Sequence, residues 1–131
     1  MERTKVLVHG VTGRMGKQVL EALCNETDME PTSGVASSLT SGQLRLPNGS
    51  GTIDVESSLA ESLKQSVPDV IVDFTNLEAS MSACRLAAPM GVNLVVGTTG
   101  FSDDNLAELD ILANRNKVGI VVAPNFALGA V

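Results

Sequence analysis

The 131-residue sequence has no tryptophan and no tyrosine, three phenylalanines, one histidine and two cysteines. With one histidine, and with Cys24 and Cys84 far apart and not in a C-x-x-C pattern, it lacks the ligand set of a structural zinc site. Both cysteines read as reduced, small apolar residues carried on helices, so neither a disulfide nor a metal site is expected. No apolar run approaches the roughly 18 residues of a membrane span. The opening residues MERTKV lead directly into a strand candidate, so no secretory signal is expected, and the expected location is the cytoplasm. Basic charge is also scarce: 9 Lys and Arg against 15 Asp and Glu give a net charge of −6. That balance argues against a nucleic-acid partner, which needs a basic face against phosphates.

What remains is 44% hydrophobic and 18% charged, a globular composition with enough chain for one domain over residues 1–131. Short β-rich runs alternate with helical stretches. Strands are predicted at Lys5–Val8, Pro31–Ala36, Val70–Asp73, Asn93–Val96 and Gly119–Val122, with a weaker one at Thr52–Val55. The runs VIVDF, LVVG and GIVVA are almost continuously β-branched, which suits parallel strands covered on both faces. A first helix begins near Gly13 and carries Val19, Leu20 and Leu23. Leu59–Ser66 is a short second helix. Leu77–Ala88 is a third, disrupted by Pro89 and terminated at Gly91. A fourth is announced by FSDDNLAELDIL, with Ser102 as cap, Asp103 and Asp104 at the positive end, and Leu106, Leu109 and Leu112 or Ala113 as its buried stripe. The alternation predicts an α/β fold of the Rossmann type: a doubly wound, mainly parallel sheet with helices on both faces. The Gly-, Ser- and Thr-rich stretch Ser37–Ser50 interrupts the pattern and reads as a long mobile loop.

The segment VLVHGVTGRMG places three glycines at three-residue intervals between the first strand and the first helix. Gly10 sits at the sharp turn, Gly13 where backbone can approach a ligand at the helix start, and Gly16 where helix and sheet pack closely. This is the logic of a site that holds a pyrophosphate on free N–H groups. The spacing is G-x-x-G-x-x-G rather than the commoner G-x-G-x-x-G, and a merely tight βα turn is the alternative. Arg14 puts a cation beside it, near the phosphates or simply in solvent.

Each phenylalanine follows a strand: Phe74 after VIVD, Phe101 after VVGTTG, Phe126 after IVVAPN. Ligands in open α/β sheets bind outside those carboxyl ends. With Thr75, Thr98, Thr99 and Asn125 beside them, the rings suit a flat heterocycle bearing an amide, such as nicotinamide. The alternative is that they plug the sheet's upper rim. His9 reads as a satisfied, half-buried histidine rather than an acid–base group, and Asp73 as a hydrogen-bond acceptor for the loop that follows it.

HGVTGRMG, VDFT, VVGTTGF and the terminal APNFALGAV, in this order, resemble the N-terminal half of the dihydrodipicolinate reductases of lysine and diaminopimelate biosynthesis. The resemblance implies a domain that binds NADPH or NADH. Gly10, Val11, Thr12, Gly13, Arg14 and Met15 would then hold the pyrophosphate. Gly97, Thr98 and Thr99 would line the nicotinamide, Ala123, Pro124, Asn125 and Phe126 would lie near nicotinamide and substrate, and Phe74 and Thr75 would pack beside the cofactor. In that family a hydride passes to a cyclic imine dicarboxylate. The family's second domain carries a His-His-x-x-Lys motif and builds the tetramer. That motif does not occur here, so no catalytic residue is expected in these residues, and a dicarboxylate substrate is expected only with the second domain. Where the family often has an acidic residue for the adenosine ribose, this chain has Ser37.

A stand-alone NAD(P)-binding sensor without chemistry is the competing reading. A short-chain reductase would need a Tyr-x-x-x-Lys pair, which a chain without tyrosine does not have. At the cofactor's ribose, Ser37 and Ser38 can donate to a 2′-phosphate and Arg45 can fold over it, which predicts tolerance of both cofactors with a modest lean to NADPH.

Overall fold

The computed structural model describes residues 3–36 and 42–123. They form seven strands and four α-helices: β1 (Thr4–His9), α1 (Arg14–Cys24), β2 (Met29–Val35), β3 (Gly42–Arg45), β4 (Thr52–Glu56), α2 (Leu59–Gln65), β5 (Val70–Asp73), α3 (Leu77–Ala87), β6 (Asn93–Val96), α4 (Asp103–Asn116) and β7 (Ile120–Val122). The sheet order is β3-β4-β2-β1-β5-β6-β7. Every neighbouring pair is parallel except β3 with β4. The predicted doubly wound sheet is therefore present. The chain leaves β1 towards β2 and later returns on the other side at β5, which puts the topological switch point between β1 and β5.

Side chains alternate across β1, and each face has its own core. Leu7, Ile71 and Leu94 point to one face and pack with Leu63, Met81, Cys84 and Leu109 beneath α2, α3 and α4. Val6 and Val8 point to the other and pack with Val19, Leu20 and Leu23 of α1. Fully burying such a Leu or Ile is worth about 1.5–3 kcal/mol, so these two clusters dominate the fold's stability. The second face is covered unevenly. Among the described residues α1 is its helix, and Val95 of β6 is half-buried there while Val121 of β7 is 55% exposed.

Two expectations need correction, at β3 and in α4, and β2 adds an irregularity of its own. The stretch read as a loop contains β3, an edge strand antiparallel to β4 with Gln43 opposite Asp54 and Arg45 opposite Thr52. Its signal was the alternation in QLRL: Leu44 and Leu46 turn inward against the α1-side core. Arg45 is thus held on an edge strand. In β2, Val6 of β1 pairs with Pro31 but Leu7 pairs with Ser33, so Thr32 is an extra residue in the ladder. A proline has no N–H to donate, and a bulge beside it keeps the rest of the strand in register. In α4, Leu109 is buried but Leu106 is 42% exposed. The inward face begins with Asn105, whose side chain is occupied in the cap, and continues through Leu109, Leu112 and Asn116. The third helix behaves as expected: α3 gives way to a 3-10 turn at Ala88–Met90, and Gly91 ends it at φ +80°.

Candidate functional site

The parallel register brings one row of residues level across the carboxyl edge: Glu56, Val35, His9, Asp73, Val96 and Val122. The residues that follow them, Ser57, Ala36, Gly10, Phe74, Gly97 and Ala123, form the rim. Two cavities open there. One of about 320 Å³ is lined by His9, Gly10, Thr12, Gly13, Ala36, Ser57, Phe74 and Thr75, among others. One of about 540 Å³ is lined by Gly13, Arg14, Met15, Phe74, Thr75, Gly97, Thr98 and Thr99, among others. Gly13, Phe74, Thr75 and Asn76 belong to both, so the two are halves of one cleft that meet between the start of α1 and the segment that leads from β5 into α3.

The three glycines of the first loop have separate reasons. Gly10 turns the chain at φ +91°, and a Cβ there would lie 2.8 Å from the Phe74 carbonyl oxygen. A Cβ on Gly16 would overlap the Gly10 carbonyl oxygen and stand 2.9 Å from Val11 Cα, so α1 could not approach the loop. Gly13 has neither constraint: φ is −73° and its nearest contact would be an ordinary 3.4 Å. The protein itself does not require glycine at 13, and the space beside it is the junction of the cleft.

Gly13 is also the N-cap of α1, with no side-chain cap hydrogen bond and no acidic residue in the first turn. The first N–H groups of α1 therefore lack the side-chain acceptor that an N-cap normally supplies. Val11 is different. It is fully buried, its side chain fills the space above Gly34, and its N–H is donated to Val35 O at 3.2 Å. Val11 lines neither cavity and acts as a core residue that holds the loop down.

On the other side of the cleft the Phe74 ring lies where a Cβ on Gly97 would be, so Gly97 is the space that this ring occupies. Phe101 instead packs against the core beneath α3 and α4, which is the plugging role. Asp73 is fully buried. Its Oδ1 accepts from Thr75 N at 3.0 Å and from Thr75 Oγ1 at 2.6 Å, the loop-bracing role expected of it. Thr75 Oγ1 lies 3.3 Å from Ser80 Oγ, which donates to Thr98 Oγ1 at 2.8 Å. A hydroxyl chain thus runs from Thr98 in the larger cavity to Asp73.

His9 departs from the expectation of a satisfied histidine. Its side chain is 12% exposed, its Nδ1 has no hydrogen-bond partner, and it stands 3.6 Å from Asp73 Oδ2, which has none either. No neighbouring residue in the chain offers His9 a carboxylate; the β1–β5 register, His9 opposite Asp73, supplies one. Ser57 and Asn76 were likewise missed as lining residues, and the rim position after a parallel strand would have found Ser57. Ala123 continues the β7 ladder, donating to Val96 O at 2.7 Å. Ser37, Pro124, Asn125 and Phe126 lie outside the described residues.

Cys24 and Cys84 are both free. Burial pushes the Cys84 thiol up to about 12, helped by the Asp73 and Glu108 charges and opposed by Arg85, so it has no nucleophilic character at neutral pH. Among the described residues no three His, Cys, Asp or Glu side chains cluster to hold a metal, and no helix is long and apolar enough to cross a membrane.

A parallel sheet with a glycine turn after its first strand, an uncapped helix start and a cleft at the switch point defines a domain of the Rossmann type. The chain belongs to the dihydrodipicolinate reductase family: residues 4–126 match the family model "Dihydrodipicolinate reductase, N-terminus". It is 50% identical over 131 residues to the 4-hydroxy-tetrahydrodipicolinate reductase of Dehalococcoides mccartyi strain 195, covering 100% of this chain and 50% of that protein. The dipicolinate-bound dihydrodipicolinate reductase of Paenisporosarcina sp. TG-14 superposes with a TM-score of 0.81 at 29% identity, over 97% of this chain and 49% of that one. Homoserine dehydrogenase of S. aureus shares the fold alone, with a TM-score of 0.72 at 17% identity over 93% of this chain and 33% of that one. The chain spans about half the length of the curated relatives it matches.

Proposed function

We propose that these residues are the NAD(P)H-binding domain of a 4-hydroxy-tetrahydrodipicolinate reductase, which delivers a hydride to a cyclic imine dicarboxylate in lysine and diaminopimelate synthesis. The observation that carries this is the start of α1. Its N–H groups are uncapped, Gly13 is a glycine for no internal reason, and the two cavities meet there. A pyrophosphate fits that junction as the acceptor the helix lacks, with Arg14 adjacent and no acidic residue in the first turn. The smaller cavity, beneath Ala36 and Ser57, suits the adenosine half. The larger, with Gly97, Thr98 and Thr99 about the edge of the Phe74 ring, suits the nicotinamide.

When bound, the nicotinamide supplies the hydride. The work of these residues is to bind and orient: α1 and Arg14 hold negative charge, Phe74 forms a wall, and the Ser80–Thr98 hydrogen bond fixes the Thr98 hydroxyl. None of them is assigned acid–base chemistry on the substrate. In the soluble, cytoplasmic enzyme we infer, that work and the tetramer interface belong to the second domain of the family.

The cofactor choice follows from residue 37. A carboxylate after β2 repels a 2′-phosphate, and serine does not. Ser37 therefore favours tolerance of both cofactors with a lean to NADPH of about 1 kcal/mol, the net value of one ordinary hydrogen bond. Titration with NADH and NADPH tests both levels. Saturable binding of either supports the domain assignment, and its absence in the folded chain refutes it. Ser37→Asp should move the ratio of dissociation constants towards NADH, and an unmoved ratio removes Ser37 from the ribose site.

A further inference from the structure

His9, which lines the smaller cavity, and Asp73, buried behind it, form a pair that the binding of a dinucleotide does not by itself explain. Asp73 is fully buried, with Oδ1 committed to Thr75 and Oδ2 without a partner. His9, level with it on the neighbouring strand, turns an equally unpartnered Nδ1 towards it at 3.6 Å and lines the cavity beside Gly10 and Gly13. A buried carboxylate with a free oxygen is costly, and more so beside bound phosphates, where like charges repel in a medium of low dielectric. Protonating His9 relieves both: the imidazolium pairs with Asp73 and cancels its charge beneath the phosphate cradle.

Other charges on the surrounding elements do not take this role. β2 sets the uncharged Val35 opposite His9. Glu56 at the end of β4 accepts a hydrogen bond from Gln65. Arg14 at the start of α1 and Glu78 in the first turn of α3 are exposed. Among the described residues Asp73 is the charged group within ion-pair distance of His9.

We propose that His9 and Asp73 form a proton-linked positioning pair for the dinucleotide, which binds most tightly when His9 is protonated and held against Asp73. This rests on the cofactor cleft proposed above. By linkage, a proton is taken up on binding, and affinity falls as pH rises through the titration of His9.

NADH is the probe, because the 2′-phosphate of NADPH titrates near pH 6 itself. Its dissociation constant is measured by calorimetry between about pH 6 and about pH 8.5, the range a histidine spans. The imidazole proton resonances are followed in the same series, and as the chain has one histidine they report on His9 without assignment. The expected result is affinity weaker by about tenfold at the upper pH, with the His9 midpoint raised by about one unit on saturation. His9→Gln, uncharged throughout, should bind with a flat profile. Asp73→Asn, which keeps an acceptor for Thr75, should reduce the change in midpoint that NADH brings. A constant that is flat with pH in the parent chain, or a midpoint unmoved by NADH, overturns the pair and leaves the cleft assignment standing. No saturable binding at any pH overturns the cleft assignment and the pair with it.

Discussion

The amino ends of α1 and α4 have the same backbone problem and opposite solutions. At α4 the chain solves it internally. Ser102 Oγ accepts from Asn105 N at 3.1 Å, and the Asn105 side chain returns to Ser102 N at 3.0 Å. Asp103 and Asp104 add negative charge in the first turn. α2 and α3 are capped in the same manner by Ser58 and Asn76. At α1 the cap is Gly13, without a side chain, and the first turn has no acid. A capping side chain is worth about 1 kcal/mol. Two helix starts open onto both cavities, α1 at Gly13 and α3 at Asn76; α3 keeps its cap and α1 forgoes one. What α4 spends on its own stability, α1 leaves available to an anion.

The glycines of α1 offer the largest effect with which to break this comparison. Gly16→Ala puts a methyl group into the Gly10 carbonyl and should destabilise the fold by about 3 kcal/mol, the upper part of the range for overpacking. Gly13→Val, three residues earlier on the same loop, should change stability by less than about 1 kcal/mol, because φ −73° suits any residue and the Cβ meets nothing closer than 3.4 Å. It should weaken dinucleotide binding at least about tenfold, a loss of about 1.4 kcal/mol or more. Denaturant midpoints and NADH titration of both variants read the two effects apart. Equal destabilisation by the two, or undiminished binding by folded Gly13→Val, breaks the distinction between a packing glycine and a ligand glycine.

The same contrast shows where the sequence was readable. Caps are local, so Ser102 with its two aspartates and the stop at Gly91 could be placed from a few residues each. The central parallel strands could be placed from β-branched runs buried on both faces. β3 was hidden because an edge strand of four residues shows one inward side chain, Leu44, amid loop-like composition. The inward face of α4 was misjudged by one position because three leucines fit a helical stripe, yet an asparagine used in capping leads it. The His9–Asp73 pair could not be seen at all. It is created by register between strands 64 residues apart (Asp73 and His9 sit opposite each other, as Val6 does Val70), and no local pattern encodes which residues become level across a sheet. The rim, by contrast, followed from topology alone once each strand's end was placed.

A smaller effect is expected at α4. Ser102→Ala removes the hydroxyl that accepts from Asn105 N and should lower stability by about 1 kcal/mol. Dinucleotide affinity should be unchanged, since Ser102 lines neither cavity. If the substitution shifted the dissociation constant for NADH as much as the denaturant midpoint, the two helix starts would be coupled, and the division between a structural end and a binding end would fail.

The smallest effect lies further along α4, where Arg85 of α3 grips Glu108 through two hydrogen bonds, Nε to Oε2 at 2.5 Å and Nη2 to Oε1 at 2.9 Å. The Arg85 hydrogen bonds, and then its charge, hold the Glu108 carboxyl below its ordinary range. A group whose folded value is depressed stabilises above its unfolded value, near 4.3, and that contribution is lost as pH falls through the lower folded value. Both side chains are substantially exposed, at 53% and 38%, so solvent and salt screen the pair and the effect stays small despite its two-pronged geometry. Glu108→Gln should lower the denaturant midpoint slightly at neutral pH and at low salt, and the difference from the parent should disappear in acid. A difference that persisted below the folded titration of Glu108 would show that the side chain acts there through packing between α3 and α4 rather than through its charge.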